Sequence, residues 1–331
     1  MTAGFITPGF QLVGQENLNN DGGVIGPDNS PIVNDLVTSF ASPGTYSGAN
    51  PNNSGQTGRV ILVGGGGGAG HQAGCGGAGG LVIINSAPLG SSFPVTIGAG
   101  GGAAGQGGTT GNGSNTSAPI GGTTYTAQGG GRSGRGLPNY VSPTSTFNGG
   151  PGGSGGGGGR GNNNPGQNCP GGSATQPGAS NPGSNINQGN AGGTGNSPQT
   201  QDNRIGGGAG GAGAAGSQTS GGAGLQAFPA KSIPQQAIIA PAGTGFLAGG
   251  GGSNAVLATG GGTNNSYFTP PTGVNGTGGG GGSCYNAANP GSVGGSGGVY
   301  VIEAGVGPSV TSGIWSMQGQ LTAVEDDNWP A

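Results

Sequence analysis

The sequence predicts an all-β fold in which a small sandwich of short strands carries an inserted polyglycine II-like slab, with a large irregular content. Three observations carry this expectation. Glycine supplies 92 of the 331 residues and proline another 24, above the combined level of about 25–30% at which an ordinary globular composition ends. The glycine tracts are bracketed by short β-branched segments, and no long stretch ahead of the C-terminus has helical apolar periodicity. Gly64–Gly68 and Gly155–Gly159 are unbroken runs, so the strict every-third-residue pattern of collagen is absent.

The elements follow in chain order. Residues 1–58 form an acidic lead segment with turn signals at Asp21-Gly22, Ser42-Pro43-Gly44 and Asn50-Pro51-Asn52. The body, 59–303, holds the candidate strands at 60–63, 81–84, 93–97, 123–126, 236–239, 255–258 and 299–302, each short, β-branched and bounded by turn residues. Between them lie the glycine tracts. The stretch 162–201, rich in Asn, Pro and Gln, maps to no strand or rod. The final segment, 304–331, contains both tryptophans.

Glycine held in regular structure costs roughly 0.5–1 kcal/mol more backbone entropy than alanine. Summed over 92 residues, that is far larger than the net stability of about 5–15 kcal/mol of a normal domain. Side-chain burial cannot offset the cost, since glycine has no side chain. Flexible linkers lack such apolar punctuation, so order is expected to come from backbone groups bonding to one another. Extended segments of three residues per turn, free of Cβ atoms, can lie close enough to exchange N–H···O=C bonds. At about 3.1 Å per residue, a tract such as 64–70 would span about 20 Å.

Composition also narrows function. Charged residues are only 5% of the chain. Glu16, Asp21, Asp28 and Asp35 give residues 1–58 a charge of −4, and Glu303, Glu325, Asp326 and Asp327 give 303–331 the same. The middle carries Arg59, Arg132, Arg135, Arg160, Arg204 and Lys231 against Asp202, a net +5, too dilute to track phosphates, so no nucleic acid partner is expected. Every apolar run is far shorter than the roughly 20 residues of a bilayer-crossing helix, so no membrane span is expected. The N-terminal residues lack the basic and apolar regions of a secretory signal. Cys75, Cys169 and Cys284 form no C-x-x-C pair, which predicts small buried thiols in a reducing compartment, with no disulfide framework or metal site.

Catalytic constellations are equally thin. His71 is the one histidine, and it sits in a glycine tract where the backbone offers little support for positioning a base. Most acids lie near the two ends, so no paired-carboxylate site is expected in the body. The many G-x-G-x-x-G matches carry no information in so glycine-rich a chain, and no phosphate-loop lysine follows them. No enzyme activity, cofactor or metal is expected.

Val60-Ile61-Leu62-Val63 with Gly64–Gly68, then Gly76-Gly77-Ala78-Gly79-Gly80 before Leu81-Val82-Ile83-Ile84, then Phe93-Pro94-Val95-Thr96-Ile97 before Gly98-Ala99-Gly100-Gly101 resemble the glycine-rich domain of bacteriophage tail-fibre and other virion fibre proteins. Gly121-Gly122-Thr123-Thr124-Tyr125-Thr126 and the closing Gly297-Gly298-Val299-Tyr300-Val301-Ile302 fit the same pattern. Coverage is about 59–303. The Trp-bracketed ending, Ser312-Gly313-Ile314-Trp315 to Asn328-Trp329-Pro330, is similar to C-termini of fibre-like proteins of marine, cyanobacterial phages. The resemblance implies a sandwich with glycine tracts inserted between its strands. It also implies a virion protein displaying loops for host attachment.

Specificity on a bland glycine scaffold must come from its decoration. Arg132, Arg135 and Tyr140 share one non-repetitive loop, Tyr267 and Phe268 another, and Tyr285 follows a glycine tract. Arginine and aromatics are enriched at binding hot spots, which makes these six the receptor-contact candidates; capping of lattice ends is the competing role. Trp315, Leu321, Val324 and Trp329 are the assembly candidates, on a short amphipathic helix expected between Ser316 and Pro330. The expected partners are other virion proteins, further copies in a homotrimer, and a host-surface glycan or protein. The expected location is the virion, assembled in the host cytoplasm. A capsid-surface fibre or head decoration protein is the alternative, and an ice-binding protein is a third class, disfavoured by the irregular Thr spacing.

Overall fold

The computed structural model describes residues 36–48, 57–105, 107–136, 145–160, 169–176, 181, 186–195, 206–218, 220–227, 245–252, 262–263, 272–284 and 290–303. The fold is all-β. A five-stranded sheet runs in the order β1-β11-β3-β4-β8, made of β1 (Leu36–Phe40), β3 (Thr57–Val63), β4 (Leu81–Pro88), β8 (Ile186–Gln188) and β11 (Gly298–Glu303). The pairs β11–β3, β3–β4 and β4–β8 are antiparallel. β4 bulges at Asn85 and Ser86, which together oppose Arg59 where the β3–β4 register shifts between Gly58 and Val60.

One face of this sheet packs on β2 (Gly44–Tyr46), β5 (Phe93–Val95), β6 (Thr116–Ile120) and β7 (Thr123–Ala127). β2 pairs with β5 and β6 with β7, and a bridge between Thr96 and Ser117 joins the two pairs. The interior of this sandwich is Val60, Leu62, Val82, Ile84, Val299 and Val301 against Tyr46, Phe93, Val95, Ile120 and Tyr125. Gly121 and Gly122 turn the β6–β7 hairpin with φ of 57° and 79°, the twin left-handed positions that a two-residue type I′ loop requires. The sheet's other face buries Ile61, Val63, Leu81, Ile83 and Tyr300 against Ala212, Ala227 and Leu247. Leu247 belongs to β10 (Phe246–Leu247), which pairs with β9 (Leu225–Gln226); Ala227 follows β9, and Ala212 N–H donates to Ala248 O. Burial on both faces is why β3 and β4 read as continuous apolar runs with no alternation.

The strands do not stop at turns; they run on into glycine rods. The chain leaves β3 at Val63 into the 64–70 rod, and the 74–80 rod leads into β4 at Leu81. β6, β7 and β11 are continued in the same way by 111–115, 128–136 and 291–297. The 64–70 rod shows the rule. Gly64 and Gly67 donate to Gly80 and Gly77, Gly65 and Gly68 to Ser114 and Gly111, and Gly66 and Ala69 to Gly295 and Ser292. Its carbonyls accept with the same period: Gly66 and Ala69 from Gly101 and Ala104, Gly65 and Gly68 from Gly130 and Ser133, and Gly67 from Gly281. Donor direction repeats every third residue, as it must with three residues per turn. The rod is thereby held by three antiparallel and three parallel neighbours.

This closeness is what excludes side chains. A Cβ built on Gly66 would overlap Gly279 O, and one on Gly157 would overlap Gly207 O. The outer rod, 98–105, differs: Gly102 is exposed and a Cβ there meets nothing within 4 Å. Thr123–Ala127 and Gly298–Glu303 match the strands expected from sequence. The expected strands at 236–239 and 255–258, and the expected helix between Ser316 and Pro330, lie outside the described residues. Val37–Glu303 forms one compact unit, and β1 and β2, read from sequence as part of the lead segment, are sheet members within it. The unmapped 162–201 stretch supplies β8 and a rod at 189–195.

Two opposite outcomes test the lattice. Gly66→Val and Gly157→Val should each abolish soluble folded protein. Gly102→Ala should fold and gain about 0.4–1 kcal/mol by thermal unfolding, because the unfolded chain loses freedom that the native site does not need. Hydrogen exchange should protect the Gly67 amide, bonded to Gly77 O at 2.7 Å, for far longer than that of Gly102.

Candidate functional site

Beyond the glycines, polar side chains close the lattice where rods run out of backbone partners. The 128–136 rod shows this on one flank. Gly129 N–H donates to Asn115 Oδ1 at 2.9 Å and Arg132 N–H to Asn112 Oδ1 at 2.7 Å. Those donors sit three residues apart, and so do the two asparagines on the adjacent rod. At the mouth of the sandwich, Gln176 is fully buried and accepts from Gln128 N–H while its amide donates to Thr126 O and Asn187 Oδ1. Asn181 repeats the device: it accepts from Thr126 N–H at 2.8 Å and donates to Thr126 O at 3.0 Å and to Asn187 Oδ1 at 3.1 Å. Side-chain amides thus tie the open edge of β7 to β8, which explains part of the Asn and Gln enrichment between 162 and 201.

The thiols belong to the scaffold. Cys75, Cys169 and Cys284 are free and buried. Cys75 donates to Ser283 Oγ at 3.8 Å, and burial pushes its thiol up from 9.0 to about 11, partly opposed by the Ser283 hydrogen bonds. Burial likewise raises the Cys169 thiol. Tyr46 donates to Glu303 Oε1 at 2.8 Å and stacks on Phe93 with ring centroids 4.9 Å apart. Its phenol is pushed well above the ordinary range by burial first, then by the Glu303 hydrogen bond and charge. Tyr300 donates to Gly276 O at 2.8 Å, and burial raises its phenol too.

His71 differs from the sequence expectation of loose support. Its backbone N–H donates to Ala104 O at 3.1 Å, it bridges Cys284, and it is 1% exposed. Among the described residues, no three His, Cys, Asp or Glu side chains gather where a metal ion could be held.

Arg132 and Arg135 are the two receptor-contact candidates that fall within the described residues. They do not sit in a loop. Both are half-buried members of the 128–136 rod, which is woven into the slab: Ser133 N–H donates to Gly68 O, Gly134 N–H to Gly157 O and Arg135 N–H to Thr146 O. The Arg132 stem lies over Gly150, where a Cβ would strike its Cγ, and its Nη1 donates to Ser133 O at 3.2 Å. Arg135 Nε is buried without a hydrogen-bond partner. Tyr140, Tyr267, Phe268 and Tyr285 lie outside the described residues, as do Trp315, Leu321, Val324 and Trp329.

Sequence reasoning missed the capping amides. The available signal was Asn112 and Asn115, spaced by three beside a glycine tract. No helix among the described residues is long and apolar enough to cross a membrane. Comparison with family models and with curated proteins finds no match.

Two measurements check these assignments. Gln176→Ala should lower stability by about 2–4 kcal/mol, since it opens a cavity and strands the Gln128 N–H, while Asn181 still donates to Thr126 O and Asn187 Oδ1. Alkaline conditions should also destabilise the protein. Cys75 is held protonated above its unfolded value, so its contribution is complete below pH 9 and is lost between pH 9 and about 11; Tyr46 and Tyr300 add further loss above pH 10. The native Cys75 thiol should therefore resist alkylation at pH 8 and react once guanidinium unfolds the chain.

Proposed function

We propose that this chain is a non-enzymatic structural protein of a bacteriophage virion, a tail-fibre-type subunit that displays loops for attachment to the host surface. The observation that carries the reading is the slab's construction. Its rods are fixed by bonds between backbones, so a rigid platform exists without assigning many side chains to a core. Arginine, asparagine and aromatic residues on that platform are then free to vary with the receptor. The segments that resemble the glycine-rich domain of phage fibre proteins are the same ones that build β3, β4, β5, β7 and β11 and the rods continuing them.

In this reading the chain works in the virion as a homotrimer, since thin cores and open edges favour burial against further copies. Its partners are other virion proteins and a host-surface glycan or protein, and it needs no cofactor.

Competition for infection tests the proposal. Purified chain added to host cells ahead of the phage that carries it should adsorb and lower the number of infected cells. Binding to emptied capsids with no adsorption to cells would instead assign the chain to a capsid-surface fibre or head decoration.

A further inference from the structure

The two arginines of the 128–136 rod stand three residues apart, which on a three-per-turn rod is one full turn, about 9 Å of rise. The lattice fixes them in the same orientation. Arg132 O lies against Gly156 and Arg135 O against Gly159, again one turn apart on the neighbouring 152–159 rod. Both side chains therefore leave the rod on one side. Neither guanidinium meets a carboxylate among the described residues, where Glu303, the one acid, is bonded to Tyr46.

The ground beside them is polar and uncharged. Asn112 is exposed, and with its Oδ1 engaged by Arg132 N–H its amide nitrogen remains a donor at the surface. Thr109 is exposed next to Thr110, which is anchored to Ser133.

From this row we propose that Arg132 and Arg135 form a two-point anion ladder that binds an acidic polysaccharide, with Asn112 and Thr109 taking the sugar hydroxyls between its charges. The proposal rests on the attachment reading and names the receptor chemistry for it. The chemistry selects a sparsely charged, hydroxyl-rich polymer. Duplex DNA carries a charge every ~1.7 Å, far denser than two arginines whose rod positions are about 9 Å apart, whereas acidic sugars separate their carboxylates or sulfates by neutral ring edges. Guanidinium forks bind such groups through paired N–H donors.

The test is binding of the full chain to immobilised polygalacturonate, dextran sulfate, neutral dextran and single-stranded poly-dT. Wild type should bind both acidic polysaccharides, bind them more weakly as salt rises, and ignore neutral dextran. Arg132→Gln and Arg135→Gln should each weaken binding about tenfold. Arg59→Gln, which removes the same charge from β3, should leave it unchanged, and circular dichroism should show all three variants folded.

Equal losses across the three variants, tighter binding to poly-dT than to the polysaccharides, or no binding to either polyanion would each overturn the ladder. Cell adsorption separates the two ideas: a double arginine variant that adsorbs as well as wild type removes the ladder and leaves attachment standing. Wild type that binds polygalacturonate but not host cells removes attachment and leaves the ladder.

Discussion

The hydrogen bond between glycine backbones of adjacent rods is the interaction on which the remaining structure depends. In a β-sheet a strand bonds in one plane, to two neighbours. In a rod with three residues per turn the donors point in three directions about 120° apart, and so do the acceptors. The 64–70 rod uses all of them, bonding to 76–80, 111–114 and 291–295 through its N–H groups and to 101–104, 130–133 and 281 through its carbonyls. Such a lattice grows in two dimensions, and it satisfies buried backbone groups that no apolar core could satisfy. Its cost is the freedom glycine gives up on ordering, which explains why the rods are seeded by strands. Each strand of the sandwich that runs into a rod fixes that rod's direction and register where the two join.

The few side chains tolerated inside the slab show how little space remains. Ala69, Ala73, Ala78, Cys75, Ser133 and Ser154 are all buried within rods, and none is larger than a thiol. Cys75 and Ser283 meet each other between rods. Larger side chains enter at the lattice margin, Gln176 and Asn181 at the sandwich mouth and Arg132 and Arg135 along a flank, and at the turn between the 64–70 and 74–80 rods, where His71 is buried. Size therefore sorts position. The small residues Ala69, Ala78, Cys75, Ser133 and Ser154 fit between rods, and the long polar side chains Arg132 and Arg135 stand along a flank.

Much of this was legible in the sequence, for identifiable reasons. The runs at 60–63, 81–84 and 299–302 are β-branched and unbroken, and a strand buried on both faces has that appearance. The rods were legible because glycine in such quantity leaves backbone bonding as the source of order. Three features were not. β1 and β2 sit in an acidic lead segment whose composition hides Tyr46, yet Tyr46 reaches Glu303 across 257 positions of chain. The segment holding Arg132 and Arg135 looked like a loop because its glycines are interrupted. It is a rod because Gly156, Gly159 and Gly150 on its neighbours lack the side chains that would keep it away. Rod membership is thus decided as much by residues distant in sequence as by the segment's own composition, and no local pattern reports it. The amide caps were illegible for the same reason, since the edge that Gln176 closes exists only once β7 and β8 are side by side.

Separation of support from recognition follows from the way the lattice is bonded. In a conventional domain a surface residue shares its strand with core residues, so changing one perturbs the packing of the other. Here the atoms that hold a rod in place are its own N–H and C=O groups, present whatever side chain stands at a margin position. Arg132 illustrates this: its N–H and O are committed to Asn112 and Gly150, while its guanidinium donates, among the described residues, to Ser133 O at 3.2 Å. A substitution at that side chain alters what the surface can bind and leaves the backbone bonds beneath it intact. The same logic places a limit on the glycines, where adding one methyl group displaces a neighbouring rod. A scaffold of this kind is intolerant inside and permissive outside, which is the combination that the proposed display of a binding surface requires.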